Sequence, residues 1–300
     1  MALYRRGTAA DSRLVYDIFE TTIDDLARRT GGNANSTADD PEAWQVRQPL
    51  FEHLAATGDE WWIAEDETSR LPIGYARSIV RDGVRELTEF FVLPTAQARG
   101  VGRELLSRAF PADVGHRAIV STIDPRAIAR YLGTGLSARA SIAGFEAAPR
   151  PISIDSDLER SPIEPGSLPL DALGDIDRAI LGFRRDVDHR WLATQRRGWI
   201  YRRAGAAVGY AYHPSRPLWG GPYATLDARD LPRVLADAES AAATAGHASV
   251  SFDLPLVARS GIDHLLARGF RIDPFVMLYF TDGPIEGLDR YVLTSPPFFA

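Results

Sequence analysis

ELTEFFVLPTAQARGVGRELLSRAF, residues Glu86 to Phe110, carries an apolar strand pattern through a glycine-containing turn straight into an amphipathic helix. The helix is read from Val101, Leu105, Leu106 and Ala109, which share one face at the 3.6-residue period, with Arg103, Glu104, Ser107 and Arg108 on the polar side. Gly100 and Gly102 let the backbone come close to a ligand, and the first turn of a helix presents N–H groups that have no intrahelical acceptor. The aligned peptide dipoles place partial positive charge at the same end. A strand, a tight turn and a helix N-terminus in this order form a cradle for phosphate.

Two common phosphate loops are excluded by the letters. The dinucleotide fingerprint needs a third small residue where this chain has Leu105, and the nucleoside-triphosphate loop needs a lysine, which occurs nowhere in the chain. The remaining pattern, Val92-Leu93-Pro94 followed by Gln97-Ala98-Arg99-Gly100-Val101-Gly102, resembles the pyrophosphate motif of the GCN5-related N-acetyltransferase (GNAT) superfamily. A second segment strengthens the likeness: Asp124, Ala127, Tyr131, Gly135 and Leu136 follow the family's N-x-x-A-x-x-x-Y-x-x-x-G-F helix, with Asp for Asn and Leu for Phe. Asp caps a helix as Asn does, although its charge would stand close to a bound cofactor.

The halves of the chain echo each other. Trp62-Ile63 aligns with Trp199-Ile200, Ile73-Gly74-Tyr75-Ala76 with Val208-Gly209-Tyr210-Ala211, and the Ala127-Tyr131-Gly135 helix with Gly261-Leu265-Gly269, at an offset of about 135 residues. The expected fold is therefore α/β, two tandem GNAT-like domains, each a mixed and largely antiparallel sheet flanked by helices. Prolines 149, 151, 162, 165 and 169 mark a linker across 148–168, which divides the chain into 1–150 and 151–300. The first copy should hold a helix after Asp11 with Leu14, Val15, Ile18, Phe19, Ile23 and Leu26 inward, a helix over 43–56, strands over 61–65, 73–80 and 84–93, and closing strands around 137–147. Where the second copy should carry its cradle it reads Gly221 to Pro232 without the glycine motif, so that copy is expected to keep the fold and to have lost coenzyme binding.

Composition narrows the chemistry. The 300 residues hold no cysteine, so there is no disulfide, thiolate nucleophile or cysteine zinc site, and the six histidines form no H-x-x-x-H pair. No metal is expected; the nearest approach to a ligand cluster, Asp186-Val-Asp188-His189, reads as a solvated helix face. A net charge of −6 argues against nucleic acid as a partner, and no apolar run of membrane-spanning length is present, so a cytoplasmic protein is expected. All 34 basic residues are arginine, as a GC-rich coding genome would give.

Acetyl transfer to an amine needs an acceptor for the amine proton, stabilisation of charge on the thioester oxygen and a proton donor for the departing thiolate. Glu86 and Glu89 are the candidate bases; their odd separation points them to opposite faces of a strand unless a bulge intervenes. The resemblance favours Glu86, at the family's distance before the glycine loop. It also implies acetyl-CoA as cosubstrate, held by the backbone around Phe91, Val92 and Leu93, by Gln97, Ala98, Arg99, Gly100, Val101, Gly102 and Arg103, and near Asp124. Tyr131 matches the family's thiolate proton donor, and reads equally as a core aromatic. The resemblance implies direct transfer through a ternary complex to a small-molecule or protein amine. The acceptor site is expected at the loop from Gly31 to Pro41, with Asp39 and Asp40, and around 137–145. The apolar C-terminus could bring the Ala300 carboxylate toward the cleft. Trp61 and Trp62 should point to opposite faces. The alternative function is a coenzyme A-binding sensor without turnover, and the second half is assigned to shaping the acceptor cleft or to an oligomer interface, a homodimer included.

Overall fold

The computed structural model describes residues 2–30, 37–38, 40–213 and 220–294. The chain packs as two compact units, one of residues 1–119 with 124–135, the other of 120–123 with 136–300.

In the first unit the order is β1 (Ala2–Arg6), α1 (Ser12–Thr30), α2 (Pro41–Thr57), β2 (Gly58–Asp66), β3 (Pro72–Arg81), β4 (Val84–Val92), α3 (Val101–Ala109), β5 (His116–Thr122) and α4 (Pro125–Gly133). Strands β1 to β4 form an antiparallel meander, with β1 on β2, β2 on β3 and β3 on β4. Strand β5 joins β4 in parallel, through Val84–His116, Arg85–Arg117 and Glu86–Ala118 only. One sheet face takes α1 and α2: Phe19 meets Phe91 and Phe51 edge-on, and Tyr16 packs on Phe51. The other takes α3, whose Val101, Leu105, Leu106 and Ala109 are buried as the periodicity predicts. Trp61 and Trp62 part as expected. The Arg77 guanidinium lies 4.6 Å from the Trp61 ring on one face, and Arg108 of α3 lies 4.8 Å from Trp62 on the other.

The second unit repeats the sequence of elements: β7 (Glu159–Ile163), α5 (Leu170–Leu181), α6 (Asp186–Gln195), β8 (Arg197–Arg203), β9 (Ala206–His213), β10 (Tyr223–Thr225), α7 (Leu231–Thr244), β11 (Val250–Pro255), α8 (Arg259–Ala267) and β12 (Arg271–Thr281). Even a packing detail recurs. A β-carbon on Gly74 would stand 2.9 Å from the Phe91 carbonyl oxygen, and one on Gly209 would stand 2.7 Å from that of Ala224, so the same strand crossing demands glycine in both copies. Strands β1 and β7 were not anticipated. Both are short and lack period-two alternation, and β7 falls within the proline-rich stretch read as linker; an edge strand tolerates Pro162 because one side of it needs no donor.

Strand β6 (Ser137–Ala147) closes the first repeat in sequence order yet packs in the second unit, where β12 pairs along one edge and β11 along the other. Division by repeat and division by packing therefore differ at this strand. A short further strand, β13 (Tyr291–Val292), pairs with β10.

Under the second sheet, Asp177 of α5 is wholly buried and accepts hydrogen bonds from Arg185 (3.0 and 3.1 Å), Tyr210 (2.6 Å) and His189 Nε2 (2.9 Å). A carboxylate only accepts, so His189 Nε2 carries a proton toward Asp177, and Nδ1 lies 2.9 Å from the Tyr212 hydroxyl. Burial alone would raise the Asp177 carboxyl, but Arg185 and His189 hold it well below the usual carboxylate range. His189 thus belongs to a core network, and Asp186 pairs with Arg184; among the described residues no group of metal-ligating side chains gathers.

Two measurements check this architecture. Asp177→Asn leaves Arg185 without its counter-charge and should cost about 3–5 kcal/mol in chemical denaturation. The fragment 151–300, which lacks the strand between β11 and β12, should show no cooperative thermal transition, whereas 136–300 should regain one.

Candidate functional site

The cradle forms as the sequence predicts. After β4 the chain makes a single 3-10 turn, Pro94–Ala96, and Ala98 and Gly100 both take positive φ, 64° and 83°. Alternation of left-handed residues with ordinary ones turns consecutive N–H groups toward one concavity. Gly100 is the N-cap of α3 and has no side chain to bond the first-turn N–H groups. A β-carbon there would meet nothing within 4 Å, so glycine is required by the dihedral and not by crowding.

Gln97 braces the loop from both sides. Its amide donates to the Val92 carbonyl at 3.0 Å, and its oxygen accepts from Arg126 at 2.6 Å. Asp124 caps α4 by accepting from the Arg126 N–H, and it pairs with the Arg126 guanidinium at 2.7 Å and with Arg29 at 3.3 Å. The Arg126 hydrogen bonds hold the Asp124 carboxyl down to about 2. The charge that made this residue awkward beside a cofactor is therefore already neutralised by two arginines. Arg99, Arg103 and Arg130 have no ion-pair partner among the described residues, and the Arg130 guanidinium carbon stands 3.6 Å from where a β-carbon of Gly102 would be. Sequence reading missed Arg126 and Arg130; their four-residue spacing on the helix just before and around Tyr131 was the available signal.

Because β5 leaves β4 after Glu86, the β4 edge from Leu87 onward has no strand partner on that side among the described residues. On the other side the β3–β4 register slips: Arg77 faces Glu89 but Ser78 faces Leu87, so Thr88 is an extra residue. Glu86 then faces Ile79 and Glu89 faces Arg77. Ile79 and Arg77 are two apart and share a face, so both glutamates lie on one face, correcting the expectation that they diverge. They are not equivalent. Glu89 is ion-paired with Arg77 and accepts the Tyr75 hydroxyl at 2.8 Å, and burial with the adjacent carboxylate keeps Tyr75 a protonated donor. Glu86 is buried to 3 % exposure.

Tyr131 is buried with its ring edge-on to Phe90, 6.2 Å between centroids. Asp40 caps α2 by accepting from Glu42 N–H. Asp39, the 31–36 stretch and Ala300 lie outside the described residues. The 137–145 segment is the strand β6, paired with β12 from Ser137 and with β11 from Ile142 onward.

The corresponding place in the second repeat is built differently. Ahead of α7, Asp227 accepts from Arg229, and Asp230, at the N-cap position, pairs with Arg203 at 2.8 Å, so carboxylates already stand where an anion would bind. The edge of β10, open along β4 in the first repeat, is covered by β13: Tyr223 pairs with Val292 and Ala224 with Tyr291, and Leu293 N–H reaches Asp253 of β11 at 3.0 Å.

Residues 22–133 match the model of the acetyltransferase (GNAT) family. Solved structures share the fold along nearly the whole chain. A Pyrococcus horikoshii protein assigned as an acetyltransferase superposes with a TM-score of 0.73 at 16% identity, over 97% of this chain and 92% of that one. A GCN5-related N-acetyltransferase from Sphaerobacter thermophilus gives 0.61 at 14%, over 96% and 97%. A tandem GNAT protein from the clavulanic acid biosynthesis pathway gives 0.58 at 14%, over 95% and 100%. No curated protein matches the chain in sequence.

Gly100→Ala should lower stability by roughly 1–2 kcal/mol in denaturant titration, since a β-carbon in the left-handed region is strained even with space around it. Asp124 has a depressed folded-state value, so its contribution is full above the ordinary aspartate range and is lost as pH falls from about 4 through about 2. Between those limits the wild type should lose more stability than Asp124→Asn, as followed by thermal melts.

Proposed function

We propose that this chain, a member of the acetyltransferase (GNAT) family through residues 22–133, transfers an acetyl group from acetyl-CoA directly to a primary amine in a ternary complex. The observation that carries the reading is the cradle itself, an uncapped helix N-terminus behind two left-handed residues, beside which, among the described residues, three guanidinium groups have no ion-pair partner and the β4 edge has no strand partner. The residues fit a diphosphate ester with an extended arm. N–H groups at Val101 and Gly102 would hold the diphosphate, with Arg99, Arg103 and Arg130 offsetting its charge. Along this edge the backbone around Phe91 to Leu93 would align the arm as an added strand and polarise the carbonyl, with the Val92 carbonyl already accepting from Gln97. When bound, acetyl-CoA supplies the activated acyl group. Glu86 accepts the amine proton, and Tyr131 returns a proton to the departing sulfur. With no cysteine in the chain, the commonest route to an acyl-enzyme is absent.

We assign the coenzyme to 1–150 alone. Support comes from the carboxylates before α7 and from β13, which takes the strand edge that the arm would need in 151–300.

Calorimetric titration with acetyl-CoA should give one site per chain. Reversing two charges, Arg103→Glu at an exposed position with Arg130→Glu at a half-buried one, should weaken it at least tenfold with a melting temperature within a few degrees of the wild type. Two sites per chain would overturn the assignment to the first repeat, and no binding by the wild type would overturn the transferase reading. Binding without thiol release against a panel of primary amines would favour the sensor.

A further inference from the structure

The extra residue in β4 is held by contacts that converge on one residue, Arg77, through its backbone carbonyl and its side chain. Thr88, the bulged residue, donates its hydroxyl to the Arg77 carbonyl at 3.1 Å. The Arg77 guanidinium reaches across to Glu89, with Nε hydrogen-bonded to Oε2 and Nη2 in ion-pair contact with the same oxygen. Its Nη1 donates to the Phe51 carbonyl of α2 at 3.2 Å, and its plane lies over Trp61. Arg77 is 0 % exposed, among the largest fully buried side chains of the molecule. A buried arginine whose donors go to the bulge strand and to a helix carbonyl fixes backbone geometry; it has no solvent to retreat to.

We propose that Arg77 is a positioning residue of the transfer site: its pair with Glu89 staples the Thr88 bulge, and the bulge is what sets Glu86 on the face shared with Glu89. Without the extra residue, Glu86 and Glu89 would alternate to opposite faces. The inference rests on the reading of Glu86 as proton acceptor. It assigns Glu89, whose two oxygens are taken by Arg77 and Tyr75, to the staple and removes it from the pair of candidate bases.

Arg77 and Glu89 should behave as one unit in a double-mutant cycle. Thiol release from acetyl-CoA with spermidine, or by slow hydrolysis where spermidine is not accepted, supplies the kinetic readout. Arg77→Met and Glu89→Gln should each lower kcat about tenfold or more while KM for acetyl-CoA stays within twofold, and the double variant should be no worse than either. Arg77→Lys should recover much of the loss, and Arg77→Met added to Glu86→Gln should lower kcat no further than Glu86→Gln alone. A Glu89→Gln loss far deeper than that of Arg77→Met would make Glu89 the base and overturn the proposal. A second readout needs no acceptor. Backbone amide exchange at 87–89 should quicken at least tenfold in Arg77→Met and in Arg77→Lys to a lesser degree, with the α3 amides unchanged. Unchanged exchange at 87–89 would overturn the staple on its own. Acetyl-CoA titration of the same variants keeps the two questions apart, because a failure to bind in the wild type counts against the transferase reading and leaves the exchange result to decide the staple.

Discussion

A strand edge inside a folded protein cannot be left empty, because each unpaired N–H and C=O removed from water costs free energy comparable to a lost hydrogen bond. The whole arrangement answers that constraint. In both repeats the central strand parts from the neighbour that should continue the sheet, after three residue pairs in β4 and without any pairing of β10 to β11. The second repeat covers the exposed edge with its own chain, as β13. Among the described residues the first leaves it without a strand partner, beside a helix N-terminus and arginines that have no ion-pair partner there. One topology therefore gives a strand edge without a partner among the described residues in one copy and a covered one in the other, with the short strand β13 making the difference.

The same contrast appears in the buried charges. In the first repeat the Arg77–Glu89 pair bridges β3 and β4 beside the bulge, and its further partners are a helix carbonyl and the Tyr75 hydroxyl. In the second, Arg185 and Asp177 are surrounded by tyrosine hydroxyls and a histidine, and one of those hydroxyls, Tyr291, belongs to β13. Ionic groups removed from water are paired with an opposite charge in each case. In the second repeat the partners of the pair include the strand that fills the cleft, so the polar core and the closure of the edge depend on each other.

Much of this was legible in the letters, for identifiable reasons. The cradle could be read because it is local: glycine at a left-handed position and a helix starting one residue later are properties of neighbouring residues. The tandem order was legible because glycine and aromatic positions recur in register. The bulge at Thr88 was not, since a register slip is a relation between two strands and leaves no mark in either one. Arg77 was invisible for the same reason, as a lone arginine in a strand reads as solvent-facing until its partner is known. Neither could β13 be foreseen, because two residues carry no periodicity. The packing of β6 with the second unit is likewise a matter of which edges are available far along the chain.

The placement of β6 also sets a timetable. Its partners, β11 and β12, lie roughly 100 residues or more downstream, so during synthesis at about 5–20 residues per second the strand waits on the order of 5 to 30 seconds with both edges exposed. For that interval an eleven-residue segment containing Ile142, Ala143 and Phe145 is available to any other unpaired strand, including the same segment on a neighbouring nascent chain. The yield of this protein in a cell should therefore be governed by translation speed and chaperone occupancy at the stage before residue 281, and much less by the stability of the finished molecule.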